Sequence, residues 1–202
     1  MKALLYKDFC VLWKQMKFVI ALVVILCTIP NSALNLNLFF VVYAGLLIPA
    51  TLFAYDERDR WNALAAMLPY SIRTLVLSRY VFGWLFTGLA VLCNLAGKTL
   101  AAGGRPPADD DLLALLMTLT ITLVVQAVYF PILFRLGPER GRLLMLMLLV
   151  GVMVTVGLSA ELLRGVRLGS PMHLAVPALL AAVLLCLASV KAAQRQYARR
   201  VW

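Results

Sequence analysis

Charge is excluded from five long stretches of this chain. Residues 18–55, 80–97, 112–134, 143–160 and 174–190 contain no Asp, Glu, Lys, Arg or His. Crossing the hydrocarbon of a bilayer as an α-helix takes about 20 mostly apolar residues. The first stretch is long enough for two such helices, with Pro30, Asn31 and Ser32 and then Asn35 and Asn37 supplying a turn at its centre. Six helices result. A closed barrel is the other way to span lipid, but its segments of about 10 residues alternate polar and apolar side chains. These stretches are continuously apolar. At 63% hydrophobic and 14% charged, the chain departs from soluble domains, which are roughly half apolar and a quarter charged. The expected fold is an all-α integral membrane protein, a single transmembrane domain over 1–202. Its spans lie at about 18–34, 36–54, 73–101, 112–134, 143–162 and 172–191.

Lys and Arg set the orientation of such a protein. With six spans and the N-terminus inside, only Lys98, Arg105, Arg164 and Arg167 of the 19 basic residues fall outside. Both termini are therefore expected to be cytoplasmic. The net charge of +10 reads as this topology signal plus attraction to the anionic lipid of the bilayer. It is divided among short segments, so no nucleic-acid partner is expected.

Residues 1–17 read as an amphipathic interface helix. Leu5, Phe9, Leu12, Trp13 and Met16 share one stripe at helical spacing, and Lys7, Lys14 and Lys17 lie off it. Such helices lie in the membrane interface. The pattern fits a simple anchor as well as an elbow that transmits a partner's motion to the first span.

Groups for chemistry are scarce. Cys10, Cys27, Cys93 and Cys186 are far apart and His173 is single, so no metal site is expected. No G-x-x-x-x-G-K-[ST] is present to cradle ATP phosphates, and no cofactor is expected in this chain. Intramembrane acids, bases and nucleophiles are missing from the charge-free stretches, which disfavours a membrane enzyme. It also disfavours an ion-coupled transporter, since those place ionisable groups inside the bundle. Asp110 or Asp111 is expected to cap the fourth span. Asn94, Gln126 and Tyr129, with Thr120 and Thr155, are the polar residues at depth. They suit hydrogen bonds between helices or the lining of a path.

Energy for transport must then enter from outside, and one segment suits that purpose. Residues 55–70 begin YDERDRW and close with Pro69 and Tyr70. Glu57, Trp61, Leu64, Ala65 and Leu68 share a helical face. Asp56, Glu57 and Asp59 are expected in the first turn, where the helix dipole favours acids. Pro69 ends the helix and Ser71 is placed to cap the next. A helix this short is not stable alone in water, so its stripe needs a cover. Lipid, the chain's own inner surface, or a groove on a soluble partner with Trp61 as anchor all meet that need.

The start, Lys2-Ala3-Leu4-Leu5-Tyr6-Lys7-Asp8, and the loop from Asp56-Glu57-Arg58-Asp59-Arg60-Trp61 through Leu68-Pro69, Ser71, Arg73 and Ser78-Arg79-Tyr80 together resemble the small six-helix ABC-2 transporter permeases. They are similar in particular to the permeases of bacterial exporters for phenol-soluble modulins and lantibiotic-type peptides, which implies the inner membrane of a bacterium. The resemblance implies a permease subunit that pairs with a second copy, a homodimer being favoured. A separate cytosolic ABC ATPase would hold the ATP and magnesium. It implies that 55–70 is the coupling helix seated on that ATPase, carried by Asp56, Glu57, Arg58, Trp61, Leu64, Ala65 and Leu68. Leu5, Phe9, Leu12 and Trp13 would form the interface helix beside it. It implies alternating access and export of hydrophobic or amphipathic peptide cargo. The 163–172 connection is too short for the re-entrant helix pair of larger relatives. Two other classes stay open on the residues alone: a substrate-binding membrane subunit of an importer, and a non-transport scaffold or immunity protein.

Overall fold

The structure is a computed structural model and describes residues 2–28, 36–59, 61, 64, 71–104, 109–163 and 172–201. Six long helices account for nearly all of them, and no strand occurs among the described residues. They are α1 (Lys2–Thr28), α2 (Leu36–Arg58), α3 (Ile72–Ala101), α4 (Asp109–Leu136), α5 (Pro138–Leu163) and α6 (Met172–Val201).

Five of them carry stretches long and apolar enough to cross a membrane: Leu4–Leu26, Phe39–Arg58, Ile72–Ala101, Asp109–Leu136 and Ala175–Tyr197. The described part of α5 adds the shorter apolar Leu143–Val154. This agrees with the six spans expected from the charge-free stretches. Hydrophobic side chains cover the outside as well as the inside. Phe18, Leu22 and Ile25 on α1, Leu146 and Val150 on α5, and Leu180 and Leu184 on α6 are all more than half exposed, as befits a bundle bathed in lipid.

Some helix ends match local chemistry. Ser71 caps α3, its Oγ accepting from the Thr74 amide at 3.3 Å, as expected. Asp109, Asp110 and Asp111 all lie in the first turn of α4, where their charge meets the positive end of the dipole. The helix thus starts before the cap expected at Asp110 or Asp111, and Asp111 instead accepts from Lys98 of α3 at 2.7 Å. Between α4 and α5 only Gly137 is non-helical. Its φ of 82° favours glycine, and Pro138 follows at the first helical position.

Two expectations about boundaries change. The interface helix and the first span are a single uninterrupted helix, because residues 2–28 contain neither Gly nor Pro to break it. The second span continues through Asp56, Glu57 and Arg58, which were expected to open the coupling helix.

Three apolar clusters hold the bundle. The largest joins Leu46 of α2, Tyr80 of α3, Phe130 and Leu133 of α4, Leu149 of α5 and Ala193 of α6. A second packs Leu12 and Met16 of α1 on Ile48 and Leu52 of α2 and Phe82 and Phe86 of α3. A third joins Val23, Val41, Ala44 and Ala90 farther along the same three helices. Thus α2 and α3 are shared by every cluster, α1 lies on one side of them, and α4 to α6 lie on the other. Near Gly97 of α3 the absent side chain admits the backbone carbonyl of Thr28, so α1 and α3 touch closely there.

Candidate functional site

The starts of α1 and α3 and the ends of α2, α4 and α6 meet at one end of the bundle. Ring contacts mark it: Phe53 of α2 against Phe134 of α4 at 4.7 Å, and Phe134 against Tyr197 of α6 at 5.6 Å. A compact charge cluster lies at the same end, with Asp8 and Arg79 buried and Lys7 and Asp56 partly buried. Arg79 directs Nη1 to Asp8 Oδ2 at 3.0 Å and Nη2 to Asp56 Oδ2. Lys7 Nζ lies 3.1 Å from Asp8 Oδ1 and 2.8 Å from Asp56 Oδ1. Each carboxylate thus touches both cations, and the four charges sum to zero. Asp8 is 1% and Arg79 6% exposed. Isolated charges at such depth are prohibitively costly, and mutual pairing is what makes them tolerable. The planar guanidinium is suited to this role because its nitrogens reach two acceptors in fixed directions. The cluster ties together three helices that are far apart in sequence.

The charged segment after α2 connects to this cluster. Lys7 Nζ sits 3.9 Å from the centroid of the Trp61 ring, a cation–π contact. Trp61 is half-buried and Leu64 is exposed. Glu57 and Arg58 are exposed in the last turn of α2. Asp56 was expected on the coupling surface; its carboxylate is directed instead to Arg79 and Lys7. At a helix C-terminus an acid opposes the dipole, and the two cations offset that. Ala65 and Leu68 lie outside the described residues.

The N-terminal stripe is rotated relative to the sequence reading. Leu4, Asp8, Leu12 and Met16 face the bundle, all below 9% exposed, while Phe9 and Trp13 stack on each other outside, 53% and 62% exposed. Leu5 is intermediate. A buried carboxylate therefore occupies the face that the hydrophobic pattern gave to Leu5, Phe9, Leu12 and Trp13. Its signal was weak: Asp8 is acidic among basic residues, one position beyond Lys7, and only its partners show why.

Farther along the bundle, polar side chains repair backbone that proline disrupts. Proline lacks an amide, so the carbonyl four residues earlier loses its helical donor. Pro49 of α2 leaves Gly45, and Gln126 of α4 donates Nε2 to the Gly45 carbonyl at 3.0 Å. The same amide reaches Thr87 Oγ1 of α3 at 2.7 Å. Pro131 of α4 leaves Ala127, and Ser189 Oγ of α6 donates to the Ala127 carbonyl at 2.6 Å. Since the Ser189 hydrogen is committed there, the 2.7 Å contact with Tyr80 of α3 has the tyrosine hydroxyl donating. In lipid no water substitutes for these partners.

Of the residues considered for a path, Gln126 is thus a tie between helices. Asn94 and Tyr129 are completely buried, Tyr129 within the main core. Thr120 donates to Leu116 of its own helix at 2.8 Å. The side chain of Thr155 lies outside the described residues.

A lipid-facing bundle of six helices with prolines accommodated inside its spans is a multi-pass membrane protein. The family model described as ABC-2 family transporter protein matches residues 3–197, and the chain belongs to that family. It is accordingly the membrane component of an ABC transporter, a class that works with an ABC ATPase. No curated protein and no solved structure matches the chain.

Proposed function

We infer that this chain is the permease subunit of an ATP-driven exporter in the bacterial cytoplasmic membrane. It moves hydrophobic or amphipathic peptides outward by alternating access. Two copies pair, and each docks a separate ATPase that holds ATP and magnesium. The docking surface is the segment that leaves α2, with Glu57, Arg58, Trp61 and Leu64 facing the ATPase and Ala65 and Leu68 continuing it. The observation that carries this reading is the chain of contacts from Trp61 to Lys7, and from Lys7 through Asp56 and Asp8 to Arg79. A displacement of Trp61 acts on a neutral, partly buried cluster that belongs to α1, α2 and α3 together. Such a cluster transmits force because its members are costly to separate. The stretches 18–55, 80–97, 112–134, 143–160 and 174–190 contain no Asp, Glu, Lys, Arg or His, which supports an external energy source.

The test is co-expression with an ABC ATPase from the same genome. The complex should hydrolyse ATP, with activity reduced about fivefold or more by Trp61→Ala or Glu57→Lys. Full activity in both variants removes the docking surface. A small ligand retained by the chain purified without any ATPase would instead identify an importer's binding subunit.

A further inference from the structure

A groove of about 850 Å³ opens between α3 and α6 at the end of the bundle where the charge cluster lies. This is within the roughly 300–1,000 Å³ of ligand-binding sites. Its polarity is graded along the helices. Arg73 of α3 and Lys191 and Arg195 of α6 line it and are exposed. Leu77 lies one turn along α3 from Arg73, toward the middle of the span, and Leu187 one turn along α6 from Lys191. Val190 forms the floor, and all three also line the groove. The mouth is therefore cationic and the deeper part apolar.

The three cations differ from those nearby. Lys7 and Arg79 each have an acid partner. Among the described residues no acid pairs with Arg73, Lys191 or Arg195, and none lines the groove. Three like charges converging on a cleft repel one another unless an anion lies between them. A small soluble anion has no use for the leucines below. An uncharged hydrophobic chain has no use for the cations above. A phosphate headgroup above an acyl chain matches both, in the order the bilayer imposes.

We propose that this groove is a binding site for an acidic phospholipid of the leaflet at that end, its phosphate held by Arg73, Lys191 and Arg195 and its acyl chain lying along Leu77 and Leu187. The site is independent of the export reading and requires only membrane insertion.

The full-length protein, purified in mild detergent, is titrated with dioleoyl phosphatidylglycerol or dioleoyl phosphatidylcholine, and bound lipid is counted by native mass spectrometry. The wild type should bind phosphatidylglycerol in preference. A basic residue that meets the bound headgroup directly contributes about a factor of five toward acidic lipid, and one outside the groove does not meet it. Arg73→Gln/Lys191→Gln/Arg195→Gln should thus weaken phosphatidylglycerol binding by roughly ten- to a hundredfold. Lys14→Gln/Lys17→Gln/Arg135→Gln removes the same charge from other exposed positions and should change it less than about threefold. Glycerol 3-phosphate in excess should not displace the lipid. Equal loss in the two triple variants, no loss in the first, equal binding of phosphatidylcholine, or displacement by glycerol 3-phosphate overturns the proposal. If the first triple variant does not fold, Lys191→Gln alone serves, with a severalfold loss expected and an unchanged affinity overturning it.

Discussion

The side-chain amide of Gln126 donates to the carbonyl of Gly45 at 3.0 Å, the acceptor that Pro49 deprives of its helical amide. Gly45 also makes the approach possible. A Cβ there would stand 2.8 Å from Gln126 Nε2 and 2.5 Å from Thr87 Oγ1, so a side chain would displace the amide. Proline, glycine and glutamine on two helices therefore form one device, which lets α2 carry a proline at membrane depth.

Gln126→Leu should destabilise the protein by about 1–3 kcal/mol, the cost of an orphaned buried carbonyl. Pro49→Ala restores the amide that Gly45 lacks, so Gln126→Leu should cost at least about 0.5 kcal/mol less in that background. Unfolding in detergent, measured as a double-mutant cycle, checks this. Strictly additive effects would mean that Gln126 does not serve Gly45.

At Ser189 the two partners should respond unequally. Ser189→Ala removes the donor to Ala127 and the acceptor of Tyr80 together, and should cost about 1–3 kcal/mol. Tyr80→Phe removes only the outer bond, because Ser189 continues to donate to Ala127, and should cost less. Thermal unfolding of both variants gives the order, and a larger loss in Tyr80→Phe would contradict the assigned donor direction.

Arg79→Leu leaves Asp8 and Asp56 with Lys7 as their only cation. A loss of about 3–5 kcal/mol is expected, as for other buried ion pairs broken from one side. Arg79→Lys should also be impaired, since Arg79 meets Asp8 and Asp56 through two different nitrogens of one planar group, which the single nitrogen of an ammonium does not reproduce. Recovery of folded protein and its melting temperature report both, and a fully stable lysine variant would show that the fork geometry is dispensable.

Two glycines should behave oppositely. Gly97→Ala places a methyl group against the Thr28 carbonyl and should cost about 1–3 kcal/mol as an overpacked contact. Gly151→Ala meets nothing within 4 Å and should be neutral or stabilising by about 0.5–1 kcal/mol, the helical advantage of alanine. Parallel melting curves in one detergent decide between them.

How far the chain can be read without its structure differs from one residue to the next. The apolar stretches, the cap at Ser71 and the glycine at 137 follow from neighbours within a few positions. Composition shifts near Lys17 and suggests two helices, yet backbone hydrogen bonding continues wherever no breaker intervenes. Trp61 and its charged segment stood out by contrast with the spans. Its acids suggest the start of a helix, since an acid at a helix C-terminus is unfavourable unless a cation from elsewhere compensates it. That cation is Arg79, 23 positions along the chain from Asp56. Phe9 and Trp13 were grouped with Leu12 because apolar residues usually face inward, but in lipid the outer face is apolar as well, and hydrophobicity no longer identifies the inside.

Composition and order along the chain are enough to require a helical membrane protein, because a bilayer accepts only helices of sufficient apolar length or closed barrels. They also suffice to locate the segment suited to a soluble partner, and its motifs suggest the family. Which polar groups meet is a different matter. Gln126 and Gly45 are 81 positions apart, and Tyr80 and Ser189 are 109 apart. A helix turns about 100° per residue, so a small change in the rotation or sliding of one helix exchanges every partner on its face. Packing of side chains such as Leu46, Phe130 and Leu12 sets that rotation. Folding of the bundle therefore joins Asp8 to Arg79, supplies the carbonyls before Pro49 and Pro131 with donors, and gathers Arg73, Lys191 and Arg195 around one groove.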